Sequence, residues 1–202
     1  MSTYRICVTN RHLSDLPLAQ QIKLIAQLPA EPETLAADAP PRLWRPQALL
    51  LREKDLSPAA YLQLCLELAP LCQAHKLRLL PHSDPSAARR LQSTALHLPL
   101  RLLTTDLATE FPLVGVSVHS LEEALTAAHL GAGYLIVGHV FSTACKKDLP
   151  PCGLTLLATI IQAVTIPVYA IGGLTPTNVQ QCLQVGASGV CMMSTYMQVK
   201  SR

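Results

Sequence analysis

The sequence predicts a single (β/α)8 barrel spanning residues 1–202, with a truncated last helix, on three observations. Eight short apolar runs of strand type alternate with longer stretches of helical period, and parallel strands need such helical crossovers. The chain is 202 residues long, enough for one domain with a sizeable core. Half of its residues are hydrophobic and only 14% are charged, against roughly 25% in ordinary soluble domains, so much surface is expected inside a closed sheet or at a subunit contact.

The first unit is Tyr4 to Thr9 as strand and Leu18 to Leu28 as helix, where Leu18, Ile22 and Ile25 share one face. A Pro-rich connection, Pro29 to Pro46, leads to the second strand, Ala48 to Arg52. The second helix, Pro58 to His75, is entered through Ser57 as cap and Pro58 at the first position. Leu77 to Leu80 and Ala95 to Leu98 supply the third and fourth strands, and Leu113 to Val118 the fifth. Ser120 with Glu123 makes a capping box for the helix Leu121 to Leu130. The sixth strand is Tyr134 to Val137, followed by the helix Leu154 to Val164. Ile166 to Ile171 is the seventh strand, Pro176 to Val185 a helix, and Gly189 to Met193 the eighth strand. Only Thr195 to Arg202 remain, too few for a full closing helix, so the outer face near the first and eighth strands is expected to need cover from a homo-oligomer or from the Pro-rich segment. An open doubly wound sheet is the competing architecture. The turn after the first strand, Val8-Thr9-Asn10-Arg11-His12, lacks the glycines of a dinucleotide turn, which favours the barrel.

Composition excludes several functions. Sixteen basic against thirteen acidic residues leave a charge of +3 without long runs, which is no nucleic-acid footprint. No apolar stretch approaches the ~20 residues of a membrane span. The N-terminal residues do not resemble a secretory signal, and the seven cysteines form no C-x-x-C pair, so reduced thiols in the cytoplasm are expected.

In a barrel the chemistry gathers where strands end. His139, just after the sixth strand, is the best acid-base candidate; His119, after the fifth, is its rival and is equally suited to bonding its turn. All nine glycines lie at or beyond Gly115, and Gly172-Gly173, leading into Thr175 as helix cap with Pro176 at the first turn, offers backbone N–H groups to a phosphate together with Ser194. Arg52 and Lys54 after the second strand, with Lys146 and Lys147 after the sixth, could receive an anionic substrate. Cys145, His139 and Cys152 lack the spacing and the fourth ligand of a zinc site, so no metal is expected.

Five segments taken together carry a resemblance: Leu51-Arg52-Glu53-Lys54, Gly115 to Ala124, Gly138-His139-Val140-Phe141, Cys145-Lys146-Lys147, and Ile166 to Gly173. They resemble the thiamine-phosphate synthase superfamily of barrels, and most closely its thiazole tautomerase branch. Gly138-His139 stands where the synthases typically carry Gly-Pro, and the Asp residues with which synthases hold magnesium after strands three and four are absent. Asp84 and Asp106 are the nearest carboxylates, neither at the matching place. The resemblance implies cofactor-free aromatisation of a carboxythiazole ylidene ethyl phosphate, with His139 moving the proton. Gly172, Gly173 and Ser194 would then hold the phosphate, Arg52, Lys54 and Lys146 face anionic groups, and Ser117 line the floor. The alternatives are thiamine-phosphate synthase with an unusual metal site, or a non-catalytic phosphate-binding barrel.

Overall fold

A computed structural model describes residues 3–31, 42–146 and 149–200, with Cys145 described by its backbone alone. Most of the Pro-rich segment, Lys147 and Asp148 therefore lie outside the described residues. The elements run β1 Tyr4–Val8, α1 Leu18–Ala26, β2 Ala48–Leu51, α2 Pro58–Ala74, β3 Arg78–Pro81, α3 Pro85–Arg90, β4 Ala95–Pro99 and α4 Thr105–Glu110. The second half continues with β5 Leu113–Val118, α5 Leu121–His129, β6 Tyr134–Gly138, α6 Gly153–Ala163, β7 Val168–Ile171, α7 Val179–Gln184, β8 Gly189–Met192 and α8 Ser194–Met197.

All strands are parallel in the order β3-β2-β1-β8-β7-β6-β5-β4, and a parallel bridge between His82 and His97 brings the two edge strands together. This is the predicted (β/α)8 barrel. At the seam, Ser83 N–H donates to the His97 carbonyl at 2.9 Å, and the Tyr61 hydroxyl accepts from His82 N–H and donates to the Leu51 carbonyl.

Alternation along the strands divides the core in two. Ile6, Val8, Leu50, Leu80, Ile136 and Cys191 fill the barrel interior, while Cys7, Leu49, Leu51, Leu96, Val116 and Val137 pack outward against the helices. Each of these side chains is 2% exposed or less, and fully burying one Leu or Ile contributes ~1.5–3 kcal/mol.

Two of the three predicted caps form, those of Ser57 and Ser120. Ser57 Oγ accepts from Ala60 N–H, Ser120 Oγ accepts from Glu123 N–H, and Glu123 reaches back to His119 N–H at 2.6 Å. Two helices escaped the sequence reading, α3 and α4, because six residues are too few to establish a period. They are started instead by Asp84 and Thr104, whose side chains accept from Ala87 and Leu107 N–H.

The closing helix is truncated as expected, to four residues. Tyr196 and Met197 are nevertheless fully buried. Gln21, itself buried in α1, donates to the carbonyls of Tyr196 and Val199, and the Tyr196 hydroxyl donates to the Trp44 carbonyl. One turn of helix with one large aromatic thus supplies cover within the chain that length alone did not promise.

Candidate active site

His139 is placed by the way the chain leaves β6. Gly138 is required there, since a Cβ would lie 2.3 Å from the Ile171 carbonyl oxygen. Beyond it the pairing with β7 continues into the loop: Val140 N–H donates to the Ile171 carbonyl at 2.8 Å and Phe141 N–H to that of Gly172 at 3.0 Å. The returning limb closes on the same residues, with Cys152 N–H on the His139 carbonyl at 2.8 Å. The imidazole is 7% exposed and its Nε2 lies 3.1 Å from the Leu149 carbonyl. A carbonyl has no proton to give, so Nε2 carries the hydrogen and donates it. In the neutral ring this leaves the Nδ1 lone pair to accept a proton.

His119 is occupied differently. Its Nδ1 donates to the Gly138 carbonyl while its backbone is held by Glu123. It steadies the turn from which His139 projects.

The cations converge from three loops. Burial lowers the Lys54 ammonium pKa first, and then the like charges of Arg52, Arg101 and Lys146 add to it. Those four side chains therefore share one positive field, although they follow β2, β4 and β6. Arg101 was not singled out in the sequence, since no local pattern separates it from a surface arginine. Lys54 and Arg101 line an open cavity of about 740 Å³ with Glu53, Tyr61, His82 and Arg90. Burial, then the charges of Arg52, Lys54 and Arg101, push the His82 imidazole down to about 4, so it is neutral at pH 7.

The loop bearing Arg52 and Lys54 is anchored from below. Thr9 Oγ1 accepts from Arg52 N–H, and the buried Glu53 carboxylate accepts from Arg11 N–H and from the Arg11 guanidinium. Asp55 pairs with Arg11 and His12 on the exposed rim. These residues offer no sequence motif; the pairing of β1 with β2 alone brings Arg11 to Glu53.

The glycine pair has a role that its sequence did not reveal. Gly172 and Gly173 take φ of +100° and +65°, and a Cβ on Gly172 would lie 2.2 Å from His139 Cβ. One on Gly173 would lie 2.5 Å from the Ser142 carbonyl oxygen. Both glycines let the His139 loop cross the end of β7. The helix expected from Pro176 begins only at Val179, and Thr175 does not cap it: its N–H donates to Asn178 Oδ1, whose amide donates to the Gly173 carbonyl. The helix start beside this loop is that of α8, where Thr195 Oγ1 donates to the Leu174 carbonyl at 2.9 Å and so brings Ser194 next to the glycine turn.

Ser117, expected on the floor, is partly exposed and bonded from beneath. Its Oγ lies 2.8 Å from Nε2 of His97, a residue buried completely on the inward side of β4. Alternation along β4 turns His97 inward, between Leu96 and Leu98 that face the helices, but a lone histidine in a short apolar run carries no local sign of its partner.

Among the described residues no three His, Cys, Asp or Glu side chains are grouped to hold a metal ion. Asp84 caps α3, Asp106 is exposed in the first turn of α4, and the loops after β3 and β4 bring His82 and Arg101 to the mouth. Among the same residues no helix is long and apolar enough to cross a membrane.

Residues 36–196 match the protein family described as thiamine monophosphate synthase. The thiamine-phosphate synthase of Chlorobium phaeobacteroides is 31% identical over 158 residues, covering 73% of this chain and 74% of that protein. Thiamine-phosphate synthase 2 of Streptococcus pneumoniae serotype 4 is 33% identical over 155 residues, or 74% of this chain and 73% of its own. Among solved structures, thiamine phosphate pyrophosphorylase from Pyrococcus furiosus superposes with a TM-score of 0.77 at 26% identity, covering 96% of this chain and 87% of that one.

Proposed function

The chain belongs to the thiamine monophosphate synthase family, and within it we propose a cytoplasmic, cofactor-independent thiazole tautomerase, an isomerase of thiamine biosynthesis. The observation that carries this reading is His139, seated at the end of β6 with Nε2–H committed to a backbone carbonyl and Nδ1 left to take a proton. In the proposed reaction a C–H bond of the carboxythiazole ylidene breaks, its proton passes to Nδ1, and His139 returns a proton at the position that makes the ring aromatic. No electrons are gained or lost, and aromatisation drives the step forward. The phosphate would rest against the Gly173 and Ser194 backbone, where α8 begins. Arg52, Lys54, Lys146 and Arg101 would hold the remaining negative charge.

The names of the relatives favour a second reading, thiamine-phosphate synthase, in which a thiazole phosphate displaces pyrophosphate from a pyrimidine pyrophosphate. That chemistry calls for magnesium, a hard cation that seeks carboxylate oxygens. The loops after β3 and β4 do not fit it, presenting His82 and Arg101 beside an Asp84 already engaged as a helix cap.

Ultraviolet spectroscopy of the purified protein with the ylidene phosphate separates the readings. Aromatisation without added metal, unchanged by excess chelator, is the expected result. Magnesium-dependent release of pyrophosphate, with no aromatisation, would replace the tautomerase by the synthase. Binding of the aromatic phosphate without either reaction would leave a regulatory phosphate-binding barrel.

We also propose a homo-oligomer, on the low charged fraction. The uncovered face near β1 and β8 no longer supports it, because Tyr196 and Met197 are buried within the chain. Light scattering at micromolar concentration should give more than one chain mass, and a monomer that persists on concentration would end this proposal.

A further inference from the structure

The barrel interior holds a polar chain that neither proton transfer at His139 nor the cations of the rim employ. His97, Gly115 and Tyr134 stand side by side in register on β4, β5 and β6. The glycine is what lets its neighbours meet. A Cβ on Gly115 would lie 1.9 Å from Tyr134 Cζ, so the phenol crosses the strand where a side chain is missing and reaches 3.1 Å from His97 Nδ1. The other ring nitrogen faces Ser117 Oγ, one layer nearer the mouth. His82 stacks on the His97 ring at 6.0 Å and Tyr169 packs edge-on to Tyr134, which holds both rings in place.

The direction of these bonds follows from counting protons. The Tyr134 hydroxyl is buried, and burial raises its pKa, so it keeps its proton. Among the described residues its hydrogen-bond partner is His97 alone. If His97 Nδ1 carried a hydrogen, the phenol proton would be buried with no acceptor, an arrangement folded proteins avoid. Tyr134 therefore donates to Nδ1. Burial also pushes the imidazole down to about 3, so the ring is neutral and its single hydrogen sits on Nε2. That hydrogen goes to Ser117 Oγ, and the serine's own proton is left to point elsewhere.

We infer that Tyr134 and His97 are positioning residues that fix Ser117 as a hydrogen-bond donor to an acceptor atom of the substrate, a carboxylate oxygen or an unprotonated ring nitrogen. This rests on the proposed function for the substrate's place at the mouth; the direction of the relay does not. With one lone pair of Ser117 Oγ taken by Nε2–H, the serine proton is the group left to be paired, so the relay favours a substrate acceptor at that position.

Long-range nitrogen–proton correlation spectra of the intact protein, labelled with ¹⁵N at histidine, test the direction without substrate. His97 should show a protonated Nε2 and a bare Nδ1, and Tyr134→Phe, which keeps the ring, should give mixed tautomers. A hydrogen on Nδ1 in the wild type, or on both nitrogens, overturns the relay. Calorimetric titration with the aromatic carboxythiazole phosphate tests the consequence. His97→Gln keeps a donor where Nε2 stood and should bind within about threefold of wild type, whereas His97→Asn should bind about tenfold more weakly. Thermal unfolding of both variants reads the packing lost with the shorter amide, and binding that merely falls in step with the melting temperature would overturn the positioning role. Absence of binding in the wild type would overturn the proposed function instead, while the spectra still decide the relay.

Discussion

Replacing His139 by alanine should lower aromatisation by about 10²- to 10⁴-fold, the range that a positioned general acid-base supplies. The fold should survive. The loop around His139 is held by main-chain bonds, Val140 N–H to the Ile171 carbonyl and Cys152 N–H to the His139 carbonyl, and an alanine retains both. What disappears is the ring's bond to the Leu149 carbonyl, about 1 kcal/mol, together with the packing of a buried side chain, which lowers the melting temperature without unfolding the barrel. The ultraviolet assay and a thermal unfolding curve of the same preparation read the two effects separately. Near-normal turnover in a folded His139→Ala protein would remove the central claim. His119 would then be tested as the base, although its Nδ1 is engaged with the Gly138 carbonyl.

Gly172→Ala should be nearly as damaging to turnover, by at least about 10²-fold, without altering any side chain that touches substrate. Its new Cβ would lie 2.2 Å from His139 Cβ and 2.6 Å from His139 Cα, and backbone cannot yield as the tip of a flexible side chain does. His139 must move, and proton transfer is sensitive to displacements of that size. The φ of +100° adds strain of roughly 1–3 kcal/mol for a non-glycine residue. Gly186→Ala isolates that strain. Its φ is +101°, its Cβ would meet only the end of Ile161 at 3.3 Å, and it lies beyond α7, away from the mouth. Both variants should melt lower, by about 2–4 °C per kcal/mol in a chain of this size. Only Gly172→Ala should lose turnover; equal turnover in the two variants would show that Gly172 does not hold His139 in place.

The loop geometry also alters what a charge at the glycine pair can reveal. Gly173→Asp would place a like charge directly at the glycine pair. In the folded chain any Cβ at Gly173 strikes the Ser142 carbonyl and Phe141, so weaker phosphate binding would report a displaced loop as much as repulsion. Ser194→Asp is the cleaner probe, because Ser194 is exposed at the first turn of α8.

Short apolar runs set against stretches of period 3.6 were enough to place all eight strands and five of the eight helices, because each pattern is written in consecutive residues. Ser57, Ser120 and Glu123 announced two helix starts for the same local reason: a cap and the N–H groups it satisfies lie within three or four residues. The position of His139 at a strand end followed from the strand itself.

Other features depend on residues that become neighbours only when strands pair and the barrel closes. Register sets Gly115 between His97 and Tyr134, and no window of sequence contains all three. Arg101 and Lys146 are 45 positions apart yet act on one ammonium, because β4 and β6 end on the same rim. Gly172 reads locally as a phosphate turn, and that it also makes the space into which His139 fits is visible only in the folded chain. Hydrogen-bond periods and caps are short-range and survive in a one-dimensional string. Steric exclusion and Coulomb interaction act through space, so the residues they join were decided by the tertiary structure alone.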